Sequence, residues 1–145
     1  MANTLSYVVV DTNVVFEGLT RRGGASGFIV EAWLNSQITA HVSDALAYEY
    51  IAVLSSRLSA HRWSIVRPAL TGLLERATFV YINYRWRPTS PDRGDEHVID
   101  CAMNARALVV THNVKDFRAA QKGLGLRVMT PVQWVIQFID QDKIS

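Results

Sequence analysis

The sequence predicts an α/β fold, a three-layer α/β/α sandwich with a central parallel sheet of about five strands. Two observations lead to this prediction. Five short apolar runs rich in β-branched residues alternate with stretches of helical periodicity, as expected of parallel strands joined by helices. The 145 residues are 49% hydrophobic, which is enough for one packed core. We therefore expect residues 1–145 to form a single domain.

The predicted strands are continuous apolar runs, as expected of strands that are buried on both faces of a sheet. They cover Leu5–Val10, Ile38–Val42, Thr78–Ile82, Ala107–Thr111 and Arg127–Thr130. The helical stretches are Ala25–Leu34, Ser43–Leu58, Trp63–Arg76, Asp95–Arg106 and Pro131–Ile139. Ligands on open parallel sheets bind outside the carboxyl ends of the strands. The residues that follow the strands are therefore the first candidates for a functional site.

Polar and acidic side chains follow several of these strands. Asp11 comes directly after the first strand, Ser43 after the second, and Asp116 shortly after the fourth. Carboxylates gathered at one sheet edge repel one another unless divalent cations neutralise them. Oxygen ligands select hard cations such as Mg²⁺ or Mn²⁺, and the four histidines show no HExxH spacing of a zinc enzyme. The pattern predicts a Mg²⁺ or Mn²⁺ site at this edge.

Two further acids lie on or beside the apolar faces of predicted helices. On a wheel of about 100° per residue, Asp95 projects onto the middle of the apolar stripe that contains Val98 and Ile99. Glu49 falls at the edge of the buried face of the helix that Ser43 is expected to cap. We therefore expect Asp95 to face the protein interior. The residues of the same helix that are expected to face water are Glu96, His97, Asp100 and Asn104.

Each of these acids also has a purely structural interpretation. Asp95 is placed to cap its helix or to interact with the helix dipole. Glu49 is in reach of an ion pair with an arginine such as Arg57, and Asp11 and Asp116 are of a type common in turns. The convergence of three or four carboxylates on one edge is harder to explain in this way, because their repulsion requires neutralisation.

Basic residues are concentrated in the middle of the chain. The stretch from Arg57 to Arg93 holds seven arginines against two acids, although the net charge of the whole chain is only +2. Within it, Arg85, Trp86 and Arg87 place an aromatic ring between two guanidinium groups, a combination that binds phosphates and stacks on bases. We expect these three residues to contact nucleic acid or, alternatively, to belong to a solvated surface.

A lone cysteine and the lack of long apolar segments argue against a disulfide-linked, secreted or membrane protein. Cys101 has no partner for a disulfide and lies in an apolar helical pattern, so we expect a buried structural thiol. No run of about 18 apolar residues is present, and Met1–Ser6 lacks the basic and apolar parts of a secretory signal. We therefore expect a soluble, cytoplasmic protein without a membrane segment.

The motifs at the strand ends resemble those of a known family. Val8–Val14 reads VVVDTNV and Val110–Phe117 reads VTHNVKDF, with Ser43, Glu49 and Asp95 at intermediate positions. In this order and at these separations, the motifs resemble the PIN-domain ribonucleases, especially the toxins of bacterial VapBC-type toxin-antitoxin pairs. The resemblance covers essentially the whole chain, because the remaining segment fits the family's closing strand and helix.

The resemblance implies a Mg²⁺ or Mn²⁺ site formed by Asp11, Glu49 and Asp95, with Asp116 as a fourth, more variable acid. The side chains that it places around these ligands, to orient them or a water molecule, are Thr12, Asn13, Ser43 and Thr111. It also implies that Asn113 helps to position the loop that carries Asp116. Asp92 and Glu96 lie close to Asp95 in the sequence and are candidates to assist it.

The activity that the resemblance implies is hydrolysis of RNA phosphodiester bonds by a metal-bound water, which leaves a 5′-phosphate and a 3′-hydroxyl. A separate antitoxin chain would cover or thread into the groove that carries these acids, and family precedent favours a homodimer. Two other functions are compatible with the sequence. One is a PIN-like module that binds RNA or protein without cutting it. The other is a different α/β phosphate enzyme, although Asp11–Asn13 lacks the second aspartate of a DxD signature and no GxxxxGKS or GxxxxGKT loop is present.

Overall fold

The computed structural model describes residues 4–85 and 93–144, and its centre is a five-stranded sheet. The strands are β1 (Tyr7–Val10), β2 (Thr39–Val42), β3 (Thr78–Phe79), β4 (Leu108–Val110) and β5 (Val128–Met129). They lie in the order β3-β2-β1-β4-β5, and every neighbouring pair is parallel. The predicted parallel sheet is confirmed, and each strand is shorter than the apolar run that predicted it.

Helices flank the sheet, as the α/β/α prediction requires. They are α1 (Thr12–Thr20), α2 (Gly24–Leu34), α3 (Asp44–Arg57), α4 (Ala60–Arg76), α5 (Arg93–Ala105), α6 (Arg118–Leu124) and α7 (Pro131–Ile144). Short 3-10 turns cover Thr4–Ser6 and Val114–Phe117. In the two described ranges, none of these helices combines the length and the hydrophobicity that a bilayer crossing needs.

Two of the helices begin directly at the ends of strands. Asp11 has an extended backbone and its Oδ1 accepts a hydrogen bond from the N–H of Thr12 at 2.8 Å, so that α1 starts where the sequence indicated only a turn. Ser43 caps α3, with its Oγ accepting from the N–H of Leu46 at 3.2 Å. The chain therefore enters α1 and α3 from the same edge of the sheet.

The core is built on the central strand and the helices packed against it. Val8, Val9 and Val10 are fully buried, and so is the ring of Trp134. The Trp134 indole N–H donates to the carbonyl of Leu5 at 2.9 Å, so that its one polar atom is satisfied. The last helix is thereby fixed to the 3-10 turn that directly precedes the first strand.

The topology brings four chain segments to the carboxyl edge of the sheet. β1 and β2 end there and lead into α1 and α3. Only Arg106 and Ala107 separate α5 from β4, so α5 runs antiparallel to that strand and its first turn lies at the same edge. β4 also ends there and leads into Thr111. These are the segments that carry most of the acids and hydroxyls predicted to form the site.

Helices α1 and α2 cross at a very short distance at Gly18. A Cβ atom at this position would lie 2.4 Å from Cγ2 of Val30 and 2.6 Å from the carbonyl oxygen of Ser26. Both distances are far below van der Waals contact, and one of the atoms belongs to the backbone. Glycine is therefore required at this crossing.

We expect Gly18→Ala to lower the free energy of unfolding by about 1–3 kcal/mol, because the added methyl group has no space. Gly123→Ala is the matched control, since a Cβ atom there meets no other atom within 4 Å. Urea unfolding of both variants checks this. Equal midpoints for Gly18→Ala and the wild type would contradict the close helix crossing.

Candidate active site at the carboxyl edge of the sheet

Asp11 is held at the sheet edge by its neighbours on two strands. Its backbone N–H donates to the carbonyl of Val110 at 2.9 Å and extends the pairing of β1 with β4. The Thr111 hydroxyl donates to Asp11 Oδ2 at 2.7 Å, while Oδ1 accepts from the N–H of Thr12. Asp11 is only 6% exposed. Both carboxylate oxygens are thus oriented by the fold.

Thr12 connects this aspartate to a second acid. Its hydroxyl donates a short hydrogen bond to Oε2 of Glu49, which is half-buried on α3. Thr12 is therefore bonded to both carboxylates, through its backbone N–H to Asp11 and through its hydroxyl to Glu49. The structure therefore joins Asp11, Thr12, Glu49 and Thr111 in one hydrogen-bonded group, which we call the edge cluster.

Tyr50 anchors α3 next to the edge cluster. Its buried hydroxyl donates to the carbonyl of Val10, the residue before Asp11. Burial raises the pKa of Tyr50 well above 10.0, and the nearby thiol and carboxylates add to this, so that the phenol stays protonated at neutral pH. Because Glu49 precedes Tyr50, this bond also fixes where the glutamate meets β1. Sequence analysis did not identify Tyr50, although a buried tyrosine hydroxyl generally requires a partner.

Asp95 lies in the first turn of α5, at the same edge of the sheet. It is 9% exposed, so it is buried, as its place in the apolar stripe predicts. α5 packs against β1, β2 and β4. The third acid therefore comes to this edge on a helix that the central strands hold in place.

The prediction that the opposite face of α5 is solvated is wrong for Glu96 and Asp100. They are 5% and 3% exposed, and His97 is half-buried. The reason is that another segment of the chain covers this face of the helix. The Asn104 side chain donates to the carbonyl of Tyr84 and accepts from backbone N–H groups of the same segment, so the residues that follow β3 lie across α5.

A small cavity lies between the start of α3 and this face of α5. Its volume is about 120 Å³, and it is lined by Ser43, Ala45, Ile82, Arg85, His97 and Asp100. Arg85 is exposed at the rim of the cavity. The other two predicted contacts to nucleic acid, Trp86 and Arg87, lie outside the described residues, as does the alternative acid Asp92.

Asn13 and Ser43 differ in their exposure and in their contacts. Asn13 is exposed, and its Oδ1 is 3.4 Å from Nη1 of Arg57, which also lies over the Phe16 ring. Arg57, which was named from the sequence as an alternative ion-pair partner of Glu49, therefore contacts α1 through Asn13 and Phe16. Ser43 is buried, and its hydroxyl oxygen caps α3. Asn13 thus links α1 to α3 at the surface, and Ser43 shapes the start of α3.

The segment after Thr111 leads to the fourth predicted acid. The Asn113 N–H donates to Thr111 Oγ1 at 3.0 Å, and the Asn113 carbonyl accepts from the N–H of Asp116 at 3.0 Å. Asp116 is half-buried in the 3-10 turn, and the Asn113 side chain is exposed. The backbone of Asn113 therefore links Thr111 to the turn that carries Asp116.

The donors at this edge are oxygen atoms, which suit a hard divalent cation. Within residues 4–85 and 93–144, no three Asp, Glu, His or Cys side chains are arranged as a preformed metal site. Mg²⁺ is commonly bound through one or two carboxylates together with waters and substrate phosphates. Asp11 and Asp95, which are both buried at the edge, fit a site of that open kind.

Cys101 does not contribute a reactive group to the site. It is buried on α5 as predicted, and burial raises its pKa to about 12. The thiol is therefore protonated at neutral pH and is neither a nucleophile nor a metal ligand in that state.

Sequence reasoning missed a polar group beside the edge cluster. Glu17, Ser26 and His112 come together from α1, α2 and the segment after β4. His112 is far from the other two in the sequence, and no local pattern links the three. The pairing becomes visible only once the tertiary structure is known.

A groove of about 1040 Å³ runs between helices α1, α2 and α4. It is lined by three arginines, Arg21, Arg22 and Arg62, and by apolar side chains that include Leu19 and Ile65. None of the predicted site residues lines it. The groove is therefore a separate surface with basic and apolar character.

The fold and the edge cluster define an α/β domain with acidic residues at the carboxyl end of a parallel sheet. The model of the PIN domain family matches residues 7–115, which is well over half of the chain. The chain belongs to the PIN domain family, and the resemblance stated from its motifs is confirmed. No curated protein sequence matches the chain.

Three solved structures share the fold. VapBC2 from Rickettsia felis, bound to a DNA fragment from its promoter, gives a TM-score of 0.62 at 14% identity and covers 86% of this chain and 98% of its own. VapBC-1 from nontypeable Haemophilus influenzae gives 0.60 at 20% identity, with coverage of 87% and 98%. FitAB bound to an IR36 DNA fragment gives 0.58 at 17% identity, with coverage of 88% and 95%. The chain is similar to these proteins in fold.

We expect Tyr50→Phe to lower the free energy of unfolding by about 1–3 kcal/mol, because the buried carbonyl of Val10 loses its hydrogen-bond donor. Tyr48→Phe is the matched control, since Tyr48 is on the same helix and 75% exposed. Chemical unfolding measures the free energy of unfolding of both variants. Identical losses in the two variants would argue against the anchoring role of Tyr50.

Proposed function

We propose that this protein is a metal-dependent endoribonuclease, and that it is the toxin of a type II toxin-antitoxin pair. The observation that carries the proposal is the edge cluster, in which two threonine hydroxyls hold the carboxylates of Asp11 and Glu49 in a PIN domain. PIN domains are generally nucleases. An acid set supported in this way favours cutting over the alternative of a module that only binds RNA or protein.

The proposed cofactor is Mg²⁺ or Mn²⁺. Asp11 and Asp95 would hold it, and Glu49 and Asp116 would complete the site. When bound, such an ion activates a water molecule and offsets the negative charge on the phosphate oxygens. Asp11 and Asp95 are buried, and this strengthens their attraction for a cation because the local dielectric constant is lower than that of water.

The two threonine hydroxyls favour the form of the acids that binds a cation. A hydrogen bond donated to a carboxylate favours its charged form, which is the form that binds a cation. Thr111 does this for Asp11, and Thr12 does it for Glu49. Both bonds also fix the orientation of the carboxylate groups.

We propose that RNA enters past the basic segment that begins at Arg85. This arginine is at the rim of the cavity beside α5, where it would contact a phosphate. Trp86 and Arg87 follow it in the sequence, and they would stack on a base and bind a further phosphate.

The proposed partner is a separate antitoxin chain, and the proposed compartment is the cytoplasm. The resemblance to VapBC-type toxins and the fold shared with VapBC2, VapBC-1 and FitAB support an antitoxin. Such a partner would cover the acids at the sheet edge. In addition, the separate groove lined by Arg21, Arg22 and Arg62 offers positive charge and apolar surface to an acidic, amphipathic segment of the same partner.

We expect Asp11→Asn and Asp95→Asn each to lower Mg²⁺- or Mn²⁺-dependent RNA cleavage by at least about 100-fold, since even groups that only support metal ligands contribute about 10–100-fold. Asparagine keeps the size of the side chain and removes the charge. The products of the wild type are expected to carry 5′-phosphate and 3′-hydroxyl ends, which RNA-end sequencing detects.

The matched control is Asp140→Asn, which removes an exposed carboxylate on α7. Its activity should equal that of the wild type. RNA binding without any metal-dependent cleavage by the wild type would instead favour the non-cutting module. Wild-type rates in both Asp11→Asn and Asp95→Asn would refute this active site.

A homodimer is also proposed, on family precedent and on an exposed aromatic surface. Phe79 lies on the edge strand β3 and is 50% exposed, and Tyr81 follows it at 89%.

We expect light scattering to give twice the 16.3 kDa mass of one chain. We also expect Tyr81→Asp to shift the protein toward the monomer, because it places a charge on this surface. Val132→Asp changes a 59% exposed residue on α7 and should leave the mass unchanged. A monomeric wild type at all concentrations would exclude the homodimer.

A further inference from the structure

Three polar side chains meet beside the edge cluster without belonging to it. Ser26 Oγ donates to Glu17 Oε1 at 3.0 Å. The His112 ring nitrogen Nε2 lies 3.4 Å from Ser26 Oγ and 3.5 Å from Glu17 Oε1. The same ring atom thus faces both oxygens, and the three side chains form one contact. We call this group the clamp.

The chemistry of the clamp is that of a fixed contact and not of a nucleophile. Ser26 is buried and its proton is directed to the carboxylate of Glu17, so its hydroxyl is not activated by the histidine. His112 and Glu17 have side chains that are 37% and 38% exposed. Arg21 approaches the other oxygen of Glu17 only at 3.9 Å. An isolated surface pair of this kind contributes little to stability, so the main effect of the contact is on the position of His112.

The clamp depends on the close crossing of α1 and α2. Glu17 precedes Gly18, and Ser26 is the residue whose carbonyl would collide with a side chain at Gly18. The lack of a side chain at Gly18 brings Ser26 against α1. His112 therefore contacts a pair of helices that is itself rigidly packed.

His112 is the first residue of the segment that leads from the edge cluster to Asp116. Before it, Thr111 donates to Asp11. After it, the Asn113 N–H donates back to Thr111 Oγ1, and the Asp116 N–H donates to the Asn113 carbonyl. Phe117 is fully buried and holds the far end of the segment. The clamp holds the near end against α1 and α2.

We propose that Glu17, Ser26 and His112 are positioning residues that fix the segment 112–116, and thereby place Asp116 and keep the Thr111 hydroxyl directed at Asp11. The effect on metal binding rests on the proposed function. The effect on the segment itself does not. The two effects can therefore be measured separately.

A pair of variants at His112 isolates the contact. In glutamine, the side-chain nitrogen Nε2 is the same number of bonds from the backbone as Nε2 of histidine, and it can donate to both oxygens. In asparagine, the nitrogen corresponds to Nδ1 and falls short of them. His112→Gln should therefore keep the clamp and His112→Asn should lose it. Ser26→Ala removes the clamp in a second, independent way, because it deletes the hydroxyl and leaves the sequence of segment 112–116 unchanged.

The first measurement is amide hydrogen exchange in the metal-free protein. We expect the peptide that covers 112–117 to exchange about 3- to 10-fold faster in His112→Asn and Ser26→Ala, as for the loss of a hydrogen bond of ordinary strength. His112→Gln should match the wild type, and peptides from β1 and α7 should be unchanged in all variants. Equal exchange of 112–117 in the wild type, His112→Asn and Ser26→Ala would overturn the proposal.

The second measurement is the Mn²⁺ concentration that gives half-maximal RNA cleavage, together with Mn²⁺ binding measured by titration calorimetry without RNA. We expect both to shift by about 10-fold to weaker binding in His112→Asn, with the maximal rate little changed and His112→Gln close to the wild type. A wild type that neither binds Mn²⁺ nor cuts RNA refutes the proposed function, while the exchange data still decide on the clamp. Faster exchange with unshifted Mn²⁺ binding refutes the link to the metal.

Discussion

The parallel pairing of β1 with β4 is the interaction on which the rest of the site depends. Val10 pairs with Val110, and the backbone of Asp11 continues the ladder by one residue. Because equivalent residues of parallel strands reach the sheet edge together, Asp11 and Thr111 end side by side and their side chains can bond. A slip of one residue would turn either side chain to the opposite face of the sheet. The fully buried valines of both strands make such a slip costly, since each has its packing partners in the observed register.

Buried acids at this edge oppose the folding of the domain, and the surrounding hydrogen bonds offset part of that cost. Ionised carboxylates are costly to remove from water unless they are paired or hydrogen-bonded. Asp11 accepts from both a hydroxyl and a backbone N–H, and Glu49 accepts from Thr12. The hydrogen bond from Tyr50 holds the two backbone segments that carry these acids in contact. The site is thus supported from the backbone outward, and the apolar core beneath it limits how far any of the acids can move.

Most of the fold could be predicted from the sequence, because strands buried on both faces must be continuous apolar runs and these stand out between amphipathic helices. Helix α1 was missed because Asp11–Asn13 has the composition of a turn, and only the structure shows that the aspartate caps a helix. Among the site residues, Asp95 could be placed by helical periodicity since one strongly apolar stripe defines the inner face of α5. The burial of Asp100 could not, because a helical wheel assumes one buried face and the segment after β3 covers the other. Contacts between distant segments, such as that of His112 with α1 and α2, leave no periodic trace in the chain.

The buried Cys101 has a practical consequence for spectroscopy. The chain contains one cysteine, and it is enclosed in the core with a pKa of about 12, so thiol reagents attack it slowly in the native state. A second cysteine introduced at an exposed position would react far faster and would carry a fluorophore or a spin label at a single, known place. The native protein therefore accepts a site-specific probe without prior removal of its own thiol, and changes in the surroundings of that probe can be followed in solution during assembly with other molecules.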